Sequence, residues 1–273
     1  EHYAADHARY PQRILLGSEN GAEPEKWLAI RDLPYIAGQF LWTGVDFLGE
    51  AVGWPIRISQ AGLLDLAGFE KPSWFQRRAL WTRALCARLC VAGADGLSRG
   101  WEGTPGETLH VRCMTNARQA VLWLNGREIG AREVGEDACA TWTLPFEPGE
   151  LRVECRRHGE VAQHRLETPE SPHRIRLTAC PGDGAGVEQI IVELVDAKGR
   201  LVTRQDREIA YQICGGAEIL GIENANPSDV TGYAQKKRRT YGGRSIVYLR
   251  LSGGTQPVTL TAGATGLAGE ISI

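Results

Sequence analysis

Apolar positions recur at two different periods along this chain, and the period changes near residue 91. Tyr3, His7 and Tyr10 stand at helical spacing and Pro11 stops the pattern, which predicts a short helix. Ile14, Leu15 and Leu16 are then apolar on consecutive positions, the pattern of a strand covered on both faces. Gly17 loosens the chain just before Ser18 and Glu19. The segment PEKWLAIRDL, from Pro24, predicts a helix with proline in its first turn, Trp27, Ile30 and Leu33 on one stripe, and Pro34 as its stop. Residues 37–50, AGQFLWTGVDFLGE, predict a second buried strand running into a Gly-bearing loop, so strand, helix and strand form a βαβ unit. A long loop through Trp54 and Pro55 leads to a helix predicted from about Ser73 to Leu89, with Trp74, Trp81, Leu85 and Leu89 on one face.

Beyond the Gly-rich stretch that begins at Val91, alternation replaces the helical period. Leu109, Val111 and Cys113 alternate, as do Val121 and Trp123, and Asn125-Gly126 is a strong hairpin signal. Trp142 and Leu144, then Leu151, Val153 and Cys155, carry the pattern on to about Thr168, which predicts a small β-sandwich. Pro169 and Pro172 bracket a linker, and a second all-β module begins with Ile175 and Leu177. Its strands are predicted at 187–196, 208–214, 245–251 and 256–262, with turns at Lys198-Gly199, Gly215-Gly216 and Gly253-Gly254. That length and spacing suit an immunoglobulin-like sandwich. The expected division is therefore 1–90, 91–170 and 171–273, in a mainly β chain.

Composition narrows the function classes. A net charge of -2 gives no electrostatic footprint for nucleic acid and no polybasic face for a membrane, so a neutral substrate is favoured. No apolar run approaches the ~20 residues that span a bilayer. The seven cysteines form no C-x-x-C pair and the six histidines no ligand spacing; with no Gly-rich phosphate loop, neither a metal nor a cofactor is expected. Cys86 and Cys90, four apart, are expected on one helix face as small buried side chains. The first residues lack the basic start and apolar core of a signal peptide.

Position singles out the candidate chemistry. In (β/α) barrels the catalytic groups stand at the C-terminal ends of strands, where side chains leave the packed interior and meet the substrate-binding loops. Glu19, directly after the first apolar run, meets that condition, and Trp42, near the end of the second, offers an indole that stacks on the apolar face of a sugar. Asp46 and Glu50 follow on the loop, where each either binds a hydroxyl or caps the loop. A non-catalytic reading, carbohydrate binding or oligomerisation by the β modules, would need exposed aromatics on a sandwich face, and Trp101, Trp123 and Trp142 are the available ones.

The wording of the chain adds to this reading. YPQRILLGSEN, then AGQFLWTGVDFLGE, then WPIRISQAGLLDLAGFEKPSWF resembles the end of the catalytic barrel of glycoside hydrolase family 2, the family of β-galactosidases and β-glucuronidases. WEGTPGETLHVRCMTNARQAVLWLNGREIG resembles the β-domain that follows the barrel in many bacterial β-galactosidases of this family. RIRLTA, IIVELVDAKGRLV, ILGIENANPSD and RRTYGGRSIVYLRL resemble the Ig-like C-terminal domain of the same enzymes. The resemblance implies the last two strands and helices of a (β/α)8 barrel followed by two β-sandwich, Ig-like domains. It makes Glu19 the nucleophile of a retaining hydrolase and puts Trp42 in the subsite of the cleaved sugar, while Asp46 stays a substrate-binding candidate by its place on the loop. The family's acid/base, a Glu preceded by Asn, has no counterpart before Glu19, so this chain alone is not expected to complete the reaction. The partners implied are a carbohydrate substrate and the remaining barrel segment of the same enzyme, with homo-oligomerisation open.

Overall fold

The computed structural model describes residues 2–92, 98–181, 186–253 and 257–273. The fold is mainly β. Its N-terminal part holds helix α1 (Tyr3–Arg9), strand β1 (Leu15–Asn20), helix α2 (Pro24–Arg31) and strand β2 (Ile36–Leu41). β1 and β2 pair in parallel, as the βαβ pattern requires. Two short strands, β3 (Phe47–Leu48) and β4 (Ile58–Ser59), pair antiparallel, and helix α3 (Pro72–Trp81) closes this part.

The expectation that β1 and β2 are covered on both faces does not hold within this chain. Ile14 is 84% exposed, Leu16 51% and Phe40 61%. Among the described residues no element covers these three side chains.

The helix predicted to reach Leu89 stops eight residues earlier. Thr82 already has extended backbone, φ -88° and ψ 146°. Strand β5 (Ala87–Ala92) follows, with Leu89, Cys90 and Val91 all buried. Leu89 and Val91 enter the core of a sandwich, while Cys90 faces the other way, into a small cluster with Met114, Cys139 and Phe75. Burial on both faces leaves an unbroken apolar run, which periodicity alone does not separate from helix. The pair Cys86 and Cys90 is thus not helical, and the expected division at residue 90 runs through a strand. All seven cysteines are free thiols.

The first sandwich continues with β6 (Ser98–Arg99), β7 (Thr108–Thr115), β8 (Gln119–Leu124), β9 (Arg127–Glu133), β10 (Cys139–Pro145), β11 (Glu150–Arg157) and β12 (Glu160–Glu167). Its sheets have strand orders β10-β7-β5-β6 and β12-β11-β8-β9. Alternation sends every second side chain between the sheets: Leu109, Val111, Leu122, Leu151 and Val153 are buried there. Asn125 and Gly126 turn β8 into β9 with φ of 52° and 77°, the paired positive values that a two-residue hairpin needs. Trp101 and Trp142 are core residues and Trp123 is half-buried.

The second sandwich is built from β13 (Arg174–Ala179), β14 (Val187–Val195), β15 (Glu208–Cys214), β16 (Ala217–Glu223), β17 (Lys237–Arg239), β18 (Arg244–Leu251), β19 (Thr259–Ala264) and β20 (Leu267–Ser272). Its sheets run β13-β14-β18-β16 and β17-β15-β19-β20 around Ile190, Val192, Ile209, Val247 and Leu260. The turns at Gly199 and Gly215 form with positive φ; Gly254 of the third expected turn, like 93–97 of the Gly-rich stretch, lies outside the described residues. Glu102 joins the two sandwiches: its carboxylate accepts from the Thr203 backbone N–H at 2.7 Å and the Thr203 hydroxyl at 2.6 Å.

Candidate active site

The parallel pair β1–β2 carries the candidate residues to neighbouring strand ends. Leu16 lies opposite Gly38, Gly17 opposite Gln39 and Asn20 opposite Leu41. Three steps along β1 therefore match two along β2, so Ser18 and Glu19 form a bulge. Burial follows the bulge: Gly17 and Asn20 are buried, while Ser18 and Glu19 between them are exposed. Strict alternation would have put Glu19 on the side of Gly17. The extra residue releases it outward.

The strand ends are tied together at Asn20. Its carbonyl oxygen accepts from the Trp42 backbone N–H at 2.8 Å. Its side-chain amide donates to the Phe40 carbonyl at 3.4 Å and accepts from the Tyr3 hydroxyl at 3.3 Å, tying β1 to both β2 and α1. Trp42 is 42% exposed and meets Phe47 edge-on with ring centroids 5.8 Å apart; its peptide bond to Thr43 is cis. A cleft of about 280 Å³ opens beside Trp42, lined also by Gly21, Glu23, Gln60 and Lys71. Glu19 is not part of that lining, so the structure brings Glu19 and Trp42 to adjacent strand ends without enclosing them in one cavity.

Asp46 makes contacts of the loop-capping kind, one of the two readings the sequence leaves open. Only 5% exposed, it accepts from the Gly62 N–H and from the Lys71 ammonium, each at 2.8 Å. Lys71 also donates to the Gln60 carbonyl at 2.8 Å. The carboxylate is thus used to fasten the 60–64 turn beneath the Trp42 strand end. Gly62 has to be glycine for this approach, because a Cβ there would lie 2.2 Å from the Asp46 nitrogen. Glu50 stays exposed on the loop, with φ 49°. Nearby, burial pushes the Asp65 carboxyl up to about 6, against the opposing effect of the N–H groups of Phe69 and Ala67.

Two further contacts hold the surroundings. The buried Arg77 of α3 donates to the Ala22 carbonyl at 2.9 Å, fixing the turn after β1. Arg57 donates its backbone N–H to Pro227 at 3.1 Å and its guanidinium to the Asp229 carbonyl, so the loop beyond Trp42 rests on the second sandwich. Among the described residues no group of His, Cys, Asp and Glu could hold a metal ion, and no helix is long and apolar enough to cross a membrane. Tyr3 and Lys71 carry no signal as site residues in the sequence, and Asn20 has only its place beside Glu19.

Comparison with known proteins bears on the family and not on the individual site residues. Residues 175–271 match the family model "Glycoside hydrolase family 2 C-terminal domain 5", and residues 106–163 match a domain of unknown function (DUF4982). The chain is 32% identical over 247 residues to the β-galactosidase BoGH2A of Bacteroides ovatus, covering 87% of this chain and 28% of that protein. The chain belongs to glycoside hydrolase family 2. A putative β-glucuronidase of Formosa agariphila is 27% identical over 237 residues, covering 82% of this family 2 chain and 22% of the relative. The crystal structure of a family 2 member from Bacteroides cellulosilyticus superposes with a TM-score of 0.92 at 27% identity, over 100% of this chain and 40% of that one. The family 2 chain thus spans less than a third of the length of these curated relatives.

Proposed function

We propose that Glu19 is the nucleophile of a retaining glycoside hydrolase of the β-galactosidase type. The observation that carries the reading is the exposed carboxylate at the C-terminal end of β1, beside the exposed indole at the end of the parallel strand β2. In this reading β1 and β2 are the last two strands of a (β/α)8 barrel, and the two sandwiches that follow are Ig-like. The division falls between α3 and β5 rather than at residue 90, because β5 lies in the first sandwich.

Glu19 attacks the anomeric carbon as the glycosidic C–O bond breaks, forming a glycosyl ester, and water then cleaves that ester with retention. The leaving oxygen takes its proton from a second carboxylic acid about 5 to 5.5 Å away. We assign that acid to the remaining barrel segment of the same enzyme, which would also cover Ile14, Leu16 and Phe40; this chain alone would then be inactive. Trp42 stacks on the cleaved sugar, and Asp46 supports it through Gly62 and Lys71 instead of touching substrate. A galactoside is favoured over a glucuronide by the higher identity of the β-galactosidase relative.

Glu19→Gln in the intact enzyme tests this. Turnover of an aryl β-galactoside should fall by at least about a thousandfold with an unchanged melting temperature. Retained turnover would remove Glu19 from the role.

A further inference from the structure

The burial pattern at the end of β1 is buried, exposed, exposed, buried over Gly17, Ser18, Glu19 and Asn20. The bulge aims Glu19 outward, and a bulge in a two-stranded parallel pair has few ladder bonds to fix it. Asn20 supplies what the ladder lacks. With one residue it bonds α1 through Tyr3, β2 through Phe40 and the Trp42 backbone through its own carbonyl. Its side chain needs space under the bulge, and Gly17 leaves it: a Cβ at Gly17 would lie 2.3 Å from the Asn20 amide nitrogen and 2.5 Å from the Tyr3 hydroxyl. Gly17 has no positive φ, so this glycine is explained by space and not by backbone conformation.

We infer that Asn20 is a positioning residue, the clamp that holds the Ser18–Glu19 bulge and fixes the Glu19 carboxylate relative to Trp42, with Gly17 kept small to admit it. This rests on the reading of Glu19 as nucleophile. A nucleophile displaced by a fraction of an ångström still binds sugar but attacks slowly, so loss of the clamp should appear in the glycosylation step and not in binding.

The test uses the intact enzyme and 2,4-dinitrophenyl 2-deoxy-2-fluoro-β-D-galactopyranoside, which esterifies the nucleophile and releases dinitrophenolate. Peptide mass mapping of the wild-type adduct first checks the underlying reading: a label on any residue other than Glu19 ends that reading. With the label on Glu19, Asn20→Ala should slow inactivation by roughly ten- to a hundredfold. Inhibition by free galactose should stay within about threefold, since binding is not the step affected. Gly17→Ala should slow inactivation similarly, and the double variant should be no slower than either single one, because both act through the same side chain. Tyr3→Phe, which removes only a hydroxyl, measures the clamp should Asn20→Ala fail to fold. Inactivation within twofold of wild type in the folded variants, with Glu19 labelled, would overturn the inference. A loss of galactose binding matching the loss of rate would also overturn it, because that would mark a structural role.

Discussion

The backbone N–H of Trp42 donates to the carbonyl oxygen of Asn20 at 2.8 Å, so the residue after the candidate nucleophile and the candidate sugar platform share one hydrogen bond. Two residues 22 apart in sequence are thereby fixed at the same level of a parallel pair. Whatever moves one strand end moves both groups.

Trp42→Ala in the intact enzyme is therefore expected to lower kcat/KM for an aryl β-galactoside by roughly ten- to a hundredfold, about 1.4 to 2.8 kcal/mol of transition-state stabilisation. Trp42→Phe should keep part of the rate, since it retains a ring to stack on the sugar and to meet Phe47. Steady-state kinetics of the three proteins check this ordering.

Asp46→Ala should act on stability. It leaves the Lys71 ammonium, which is 25% exposed, without its carboxylate and the Gly62 N–H without its acceptor. A loss of about 3 kcal/mol is expected from breaking such a pair. Denaturant titration should report it, while KM measured well below the melting transition stays near the wild-type value. A raised KM with unchanged stability would restore Asp46 to the substrate.

How far these roles are legible in the sequence differs from residue to residue. The βαβ unit was readable because Ile14, Leu15 and Leu16, then Phe40 and Leu41, are apolar in succession between turn-forming residues, and the alternation from Leu109 onward announced the sandwiches. The length of α3 was not, because β5 is covered on both faces and its apolar run mimics a helical stripe. Asp46 keeps two readings in the sequence, because an acidic residue on a loop looks the same whether it faces sugar or Lys71. Strands β16, β17 and β20 were passed over: β17 is only three residues long, and β16 and β20 carry Gly and Glu within their runs. The bulge at Glu19 depends on the register with β2, which neither strand encodes alone.

Two titrating groups should act in opposite senses between about pH 4 and 6.5. The Asp65 carboxyl is pushed up to about 6 by burial from an ordinary 3.8. The folded chain therefore holds a proton there that the unfolded chain has released. This contribution is present below pH 4 and lost as pH rises to about 6, about 2 to 3 kcal/mol in all. Burial, with the Arg88 guanidinium adding to it, pushes the His164 imidazole down to about 4 from 6.5. Here the unfolded chain binds the extra proton, so stability is present above pH 6.5 and lost as pH falls toward 4. The wild-type profile should be nearly flat in this window. Asp65→Asn should make stability rise with pH and His164→Gln should make it fall, as followed by denaturant midpoints at half-unit steps. Parallel profiles for the three proteins would contradict both assignments.

The most direct measurement of the central assignment is the product formed by Glu19→Ala in the intact enzyme with an activated aryl β-galactoside and sodium azide. Removing the nucleophile leaves space at the anomeric carbon for a small anion, which attacks from the vacated side with a single inversion. The expected result is recovery of turnover with azide and formation of the α-galactosyl azide, identified by proton NMR of the anomeric signal. A β-galactosyl azide, the product of a covalent intermediate still forming elsewhere, or wild-type hydrolysis without azide, would contradict Glu19 as the nucleophile.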